Sequence, residues 1–161
     1  MRIGVDVGGS KIEVVALDRN GDEHLRRRIP APRDDYNATV RAIAGLVASL
    51  DADLPESATV GVGIPGTASP VTGLVKNANS TWLIGHPMSR DLTQDIGRPV
   101  RLANDANCFA LSEAIDGAAA GEAVVFGVIV GTGTGGGVAI GGEILTGPNA
   151  IAGEWGHNPL P

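Results

Sequence analysis

Short β-branched runs open and close the chain, and between them apolar residues recur at helical spacing. Ile3 to Val7 and Lys11 to Leu17 are β-rich with Gly8-Gly9-Ser10 between them, which predicts a hairpin bent at glycine. Asp18-Arg19-Asn20-Gly21-Asp22 is a turn signal, and His24 to Ile29 returns as a third antiparallel strand that Pro30 and Pro32 end. Behind Asp34-Asp35, the residues Val40, Ile43, Ala44, Val47 and Leu50 share one helical face, with acid at the positive end of the helix dipole. Ala58 to Ile64 and Val100 to Ala103 read as buried strands that stop at Pro65-Gly66 and Asn104-Asp105, where the loops of an α/β sheet present a site. Gly73 to Gly85 reads as a polar loop, Met88 to Ile96 as a helix, and the stretch from Asp105 to Ala120 as another. Ala123 to Val130, Val138 to Ile140 and Glu143 to Leu145 are three further strands joined by glycines.

The closing strands repeat the opening ones. At an offset of 123 residues (127 − 4) the identities are Gly4/Gly127, Val5/Val128, Val7/Val130, Gly8/Gly131, Val15/Val138 and Ala16/Ala139. A duplicated strand, glycine turn and strand implies two related lobes, of which residues 1–118 complete the first and residues 119–161 begin the second.

Composition narrows the function. With 12 Lys and Arg against 18 Asp and Glu the net charge is −6, which argues against a nucleic-acid partner, because phosphate-backbone affinity comes from clustered cations. Only five residues are aromatic (Tyr36, Trp82, Phe109, Phe126 and Trp155), so the core must be aliphatic and alanine-packed. Cys108 is the sole cysteine, which excludes an intrachain disulfide and suits a reducing compartment; it reads as a small buried residue. No apolar run approaches the ~20 residues of a membrane span, and Asp6 interrupts any leader-like start, so a cytoplasmic chain without a membrane partner is expected.

Glycine, 24 of 161 residues, is concentrated where chemistry is expected. Gly131, Gly133 and Gly136 spell G-x-G-x-x-G, but the glycine- and β-branched-rich residues after them are poor helix formers, so this is the bend of a hairpin rather than a dinucleotide fingerprint. Two glycine bends at matched places in a repeat, Gly8-Gly9-Ser10-Lys11 and Gly131-Thr132-Gly133-Thr134, can present backbone N–H groups to phosphate oxygens. Asp6 in a strand reads either as an indirect Mg²⁺ handler or as an ordinary hydrogen-bonded aspartate. Asp105 is either a helix N-cap or a carboxylate that accepts a proton from a substrate hydroxyl, with Asn104 beside it holding another hydroxyl. Glu154 and His157 supply an acid and an imidazole three residues apart, a pair suited to sugar hydroxyls or metal, yet with one cysteine a complete structural zinc site is out of reach. His24 and His86 lack evident partners.

Asp6-Val7-Gly8-Gly9-Ser10-Lys11, Gly63-Ile64-Pro65-Gly66, Asn104-Asp105-Ala106-Asn107-Cys108, Gly131 to Gly137 and Gly153-Glu154-Trp155-Gly156-His157 resemble, in order and along the whole chain, the ROK family of bacterial sugar kinases. Lys76 to Leu83, Arg33-Asp34-Asp35-Tyr36 and Glu154 to Pro161 look most like its fructokinase (mannofructokinase) branch. The resemblance implies an α/β, actin-like ATPase (RNase H-like) fold of two lobes, with ATP and Mg²⁺ in the cleft and phosphoryl transfer to a hexose hydroxyl, position 6 for fructose. Glucose, mannose or N-acetylglucosamine is the alternative substrate, and a non-catalytic sugar-binding piece the alternative role. Carried over by motif, Asp105 is the general base; Asn104, Glu154 and His157 bind the sugar, with Gly66 and Asn79 as further sugar-loop candidates. Gly8, Gly9, Ser10, Lys11, Gly131, Thr132, Gly133 and Thr134 hold the ATP phosphates. In the family a cysteine-rich zinc motif follows the His157 position; its absence here implies the N-terminal part of a kinase, without Zn²⁺ and with apolar strand faces uncovered. Homodimers are implied for the full-length form.

Overall fold

A computed structural model describes residues 1–131 and 133–156, which fall into two compact units, Met1–Ala103 and Asn104–Pro161. The first unit opens with strands β1 (Arg2–Val7), β2 (Lys11–Leu17) and β3 (Glu23–Pro30), followed by helix α1 (Tyr36–Asp51). Then come β4 (Thr59–Ile64), the two-residue strands β5 (Thr67–Ala68) and β6 (Val75–Lys76), a 3-10 turn at Thr81–Leu83, helix α2 (Met88–Ile96) and β7 (Val100–Asn104). The sheet runs in the order β3-β2-β1-β4-β7, antiparallel across the opening meander and parallel between β1 and β4.

Period-two patterning sets which way the meander faces. Ile3, Val5 and Val7 of β1 and Ile12, Val14 and Ala16 of β2 point inward into a core shared with Val40, Ile43, Val47 and Leu50 of α1. Each fully buried aliphatic of this set contributes roughly 1.5–3 kcal/mol. Asp35 starts α1, its Oδ1 accepting from the Ala38 N–H at 2.8 Å. Pro30 lies within β3 rather than beyond it, which the sheet tolerates because β3 is an edge strand. The segment expected to be a featureless loop contains β6, which pairs with β5, and the 3-10 turn.

The second unit comprises helix α3 (Asp105–Ile115) and strands β8 (Val124–Val130), β9 (Thr134–Ile140) and β10 (Glu143–Ile144), ordered β10-β9-β8. It repeats the opening meander: β2 and β9 are offset by 123 residues at both ends (134 − 11 and 140 − 17). The bends differ, since Val7 faces Ile12 whereas Val130 faces Thr134, so the second closes one residue tighter. The expected first lobe took in α3; in the structure α3 packs on β8 and β9.

That packing explains the glycine run, which was expected to be wholly bend. Gly135, Gly136 and Gly137 are strand residues of β9. Ala106, Ala110 and Ala114 of α3 are buried at four-residue spacing, and the register partners Gly127 and Gly137 lie beneath them. A Cβ on Gly127 would fall 2.9 Å from the Ala110 Cβ, and one on Gly137 would fall 2.6 Å from the Ala106 carbonyl oxygen. Helix and sheet therefore meet backbone to backbone. The helix also ends sooner than expected, at Ile115 rather than near Ala120, because Glu113 folds back to accept from the Ala118 N–H at 2.8 Å. Cys108, expected to be buried, is exposed on α3. On the other side of β8, Val124, Phe126, Val128 and Val130 are exposed, an uncovered apolar face. Among the described residues no helix is long and apolar enough to cross a membrane.

Candidate functional site

In the first unit the sequence-predicted residues gather at one end of the sheet. Asp6 sits on the outward face of β1, opposite Glu13 on β2 and Gly63 on β4. Like charges facing across a ladder repel, and Glu13 is taken up by Arg26 and Arg28, which hold its carboxyl below the usual range. Asp6 is pushed the other way, chiefly by partial burial and then by Glu13, with Lys11 opposing. It is thus a carboxylate whose charge the fold does not fully compensate.

At the first glycine bend the Gly8 N–H donates to the Lys11 carbonyl at 2.9 Å, so Gly8 closes the turn rather than facing a ligand. Gly9, Ser10 and Lys11 are exposed. Among the described residues the N–H groups of Gly9 and Ser10 donate no hydrogen bond. A Cβ on Gly9 would lie 4.0 Å from the Ser80 Oγ, which brings the bend beside the segment that carries Asn79. Gly66 meets the same segment from the other side: its φ is +147°, and a Cβ there would fall 2.8 Å from the Lys76 carbonyl oxygen and 2.9 Å from the Ala78 Cβ. Only glycine allows that approach. Asn79, next to Ala78, is exposed. Ser80 lies within the Lys76 to Leu83 motif but was not singled out there as a site residue.

In the second unit Asn104, not Asp105, caps α3, its Oδ1 accepting from the Asn107 N–H at 3.1 Å. Asp105 is the first helical residue, and its Oδ1 accepts from the Ala106 N–H at 2.8 Å and from the Asn104 Nδ2 at 3.1 Å. Two donors fix the plane of this carboxylate at a helix N-terminus, where negative charge is favoured. Residues 153–156 form a turn, not a helix, laid along β9. The Trp155 Nε1 donates to the Gly135 carbonyl at 3.3 Å, and a Cβ on Gly156 would run into the Thr134 carbonyl. That turn places the Glu154 Oε2 and the Ala106 Cβ within 4 Å of one point above Gly135, so Glu154 lies near the start of α3. At the second bend the Gly131 N–H is engaged by the Gly133 carbonyl at 2.8 Å, as Gly8 is by Lys11, and Thr134 belongs to β9. Thr132 and His157 lie outside the described residues. Among the described residues no cluster of three or more His, Cys, Asp or Glu is placed to hold a metal.

Two α/β units that share the same three-strand meander are those of the actin-like ATPase fold. The chain belongs to the ROK family, whose model it matches over residues 2–161. It is 45% identical to an N-acetyl-D-glucosamine kinase of Vibrio cholerae over all 161 residues, which is 53% of that protein. A ROK glucokinase from Streptomyces griseus, solved with glucose and AMPPNP, superimposes with a TM-score of 0.89 at 31% identity, covering 99% of this chain and 50% of that one. A polyphosphate/ATP-glucomannokinase from Arthrobacter gives a TM-score of 0.76 at 34% identity over 94% of this chain and 62% of that one. The chain spans about half the length of the curated relatives it matches. None of these names supports the fructose preference expected from the Lys76–Leu83 and Arg33–Tyr36 motifs.

Proposed function

We propose that this chain carries the sugar-recognition and proton-accepting residues of an ATP-dependent hexose kinase, with N-acetylglucosamine ahead of fructose as substrate. The observation that carries the reading is the start of α3, where the Asn104 amide and the Ala106 N–H orient the Asp105 carboxylate while Glu154 approaches the same helix end. Asp105 would take the proton from the hexose hydroxyl as that oxygen bonds to the γ-phosphorus and the bond to ADP breaks. Asn104, Glu154 and His157 would hold neighbouring hydroxyls, and Gly66 and Asn79 would serve as the sugar loop of the first unit. The exposed, undonated N–H groups of Gly9 and Ser10, with the Lys11 ammonium, suit phosphate oxygens; Gly8 and Gly131 shape their bends instead. Mg²⁺ is ordinarily held by one or two carboxylates plus phosphates and water, which the single uncompensated Asp6 fits; the ion would neutralise charge developing on the transferred group.

The test is ADP release by the chain with Mg-ATP and N-acetylglucosamine, glucose, mannose or fructose, together with calorimetric sugar binding. Asp105→Ala should lower transfer by about 10²–10⁴-fold while sugar affinity stays within about tenfold. Wild-type turnover in that variant removes Asp105 as the base, and absence of saturable binding of any hexose by the wild-type chain overturns the reading.

A further inference from the structure

Two segments set apart by sequence are Arg33-Asp34-Asp35-Tyr36 and Lys76 to Leu83, of which the chemistry above uses Asn79 alone, and the structure ties the start of α1 to the loop that holds the second. Tyr36 begins α1 and is only 9% exposed. Its hydroxyl donates to the Asp91 Oδ2 of α2 at 2.7 Å. Its ring stacks on the His86 imidazole, with centroids 3.9 Å and planes 12° apart, so the histidine that lacked an evident partner in the sequence has one. One turn along α1, the Thr39 Oγ1, 2% exposed, accepts from the Trp82 Nε1 at 3.3 Å while its own hydroxyl donates to the Asp35 carbonyl at 2.8 Å. The donor directions agree, because a hydroxyl that donates backward along its helix leaves its lone pairs for the indole.

The backbone closes the same segment. The Gly85 N–H donates to the Val75 carbonyl at 2.9 Å and the Val75 N–H to the His86 carbonyl at 3.0 Å, so residues 75–86 form a loop tied at its base. Asn79 and Ser80 lie in this loop between two fixed points, Ala78 against Gly66 on one side and the Trp82 and His86 anchors on the other. Neither anchor is itself near Asn104 or Asp105 in the chain. Their effect falls on where Asn79 is held.

We propose that Tyr36 and His86 are positioning residues for the Asn79 loop, and that their stack holds the loop in the arrangement that receives the hexose. This rests on the sugar-kinase reading and deepens it: recognition by the first unit depends on an aromatic latch on α1. A loop that occupies its binding conformation only a fraction of the time weakens apparent affinity by that fraction. Releasing the latch therefore raises the hexose Kd without touching a group that contacts the sugar.

The test compares His86→Ala, Tyr36→Ala and the conservative Tyr36→Phe in the 161-residue chain, well below the unfolding temperature of each. Calorimetry with N-acetylglucosamine and glucose gives affinity, and amide hydrogen exchange at residues 83–86, whose N–H groups donate within the loop, reports the loop. We expect His86→Ala and Tyr36→Ala to bind about tenfold more weakly or worse, with faster exchange at 83–86, and Tyr36→Phe, which keeps the stack, to stay within about threefold of wild type. His86 is exposed, so His86→Ala carries the test if Tyr36→Ala does not fold. Unchanged affinity in folded His86→Ala overturns the inference and leaves the sugar reading standing, as does faster exchange with no loss of binding. Absence of hexose binding by the wild type overturns both.

Discussion

Replacing Gly137 by alanine tests the backbone contact that seats α3. The added Cβ would lie 2.6 Å from the Ala106 carbonyl oxygen and 2.9 Å from both the Ala106 carbonyl carbon and the Asn107 Cα. Ordinary contact begins at 3.4 Å, so the helix must retreat by 3.4 − 2.6 = 0.8 Å, and because the obstacles are backbone no side chain can swing aside. Overpacking of this kind costs about 1–3 kcal/mol. Taking about 2 kcal/mol and a urea slope of ~2 kcal/mol per molar, the unfolding midpoint should fall by about 1 M. Gly61→Ala is the matched control: its Cβ would meet nothing within 4 Å, and removing a strand glycine should leave the midpoint unchanged or raise it. The helix that moves is the one that begins at Asp105, and a shift near 1 Å costs about 10²-fold in a positioned reaction, so the turnover proposed above should fall more steeply than the folded population. A Gly137→Ala midpoint at or above wild type, or an equal loss in Gly61→Ala, would refute the argument.

Asp6→Asn should stabilise the chain at neutral pH. Burial and Glu13 raise the Asp6 pKa above 3.8, so the folded state holds that proton more tightly than the unfolded one. Ionisation therefore subtracts stability as pH rises through this region. Thermal melts should show the variant ahead of wild type at pH 7, the gap closing as pH falls through the raised pKa toward 3.8; a variant less stable at pH 7 contradicts the sign. Asp35→Ala removes the side-chain acceptor of the Ala38 N–H and should cost about 1 kcal/mol, read as a lower melting temperature by circular dichroism, while Asp35→Asn recovers most of it.

The opening meander, α1, α2 and the repeat were legible because each rests on periodicity or on local turn chemistry. Val40 to Leu50 at helical spacing behind Asp35 could form little else, and the 123-residue offset emerged again as equal spans of β2 and β9. The glycine run misled because residue type alone does not separate a glycine that turns from one that admits a neighbour. Gly135 to Gly137 have ordinary strand conformations, and their reason lies across space in Ala106 and Asn107. Within the expected phosphate loop Gly8 and Gly9 look alike in sequence, but the Gly8 N–H is occupied within its own turn. Sequence left Asp105 as either the cap or a proton acceptor, and the cap fell to Asn104 instead, since both residue types cap well and their order is decided by where helical geometry begins. His86 illustrates the remaining gap. Its partner, Tyr36, is 50 residues away (86 − 36), and nothing in single-sequence patterning joins them.

The glycine–alanine seam beneath α3 also constrains how such a chain can diversify. A helix resting on large side chains can be re-aimed by exchanging leucine for valine or phenylalanine, whereas one resting on bare backbone offers no such dial. Every substitution at Gly127 or Gly137 is an addition of volume, and Ala106 and Ala110 have only glycine below them in size. The start of α3 is therefore mutationally rigid, and under the sugar-binding role proposed above new preferences would arise more readily in the segment around Gly66 and Asn79, where exposed positions such as Asn77 and Asn79 change without disturbing the seam.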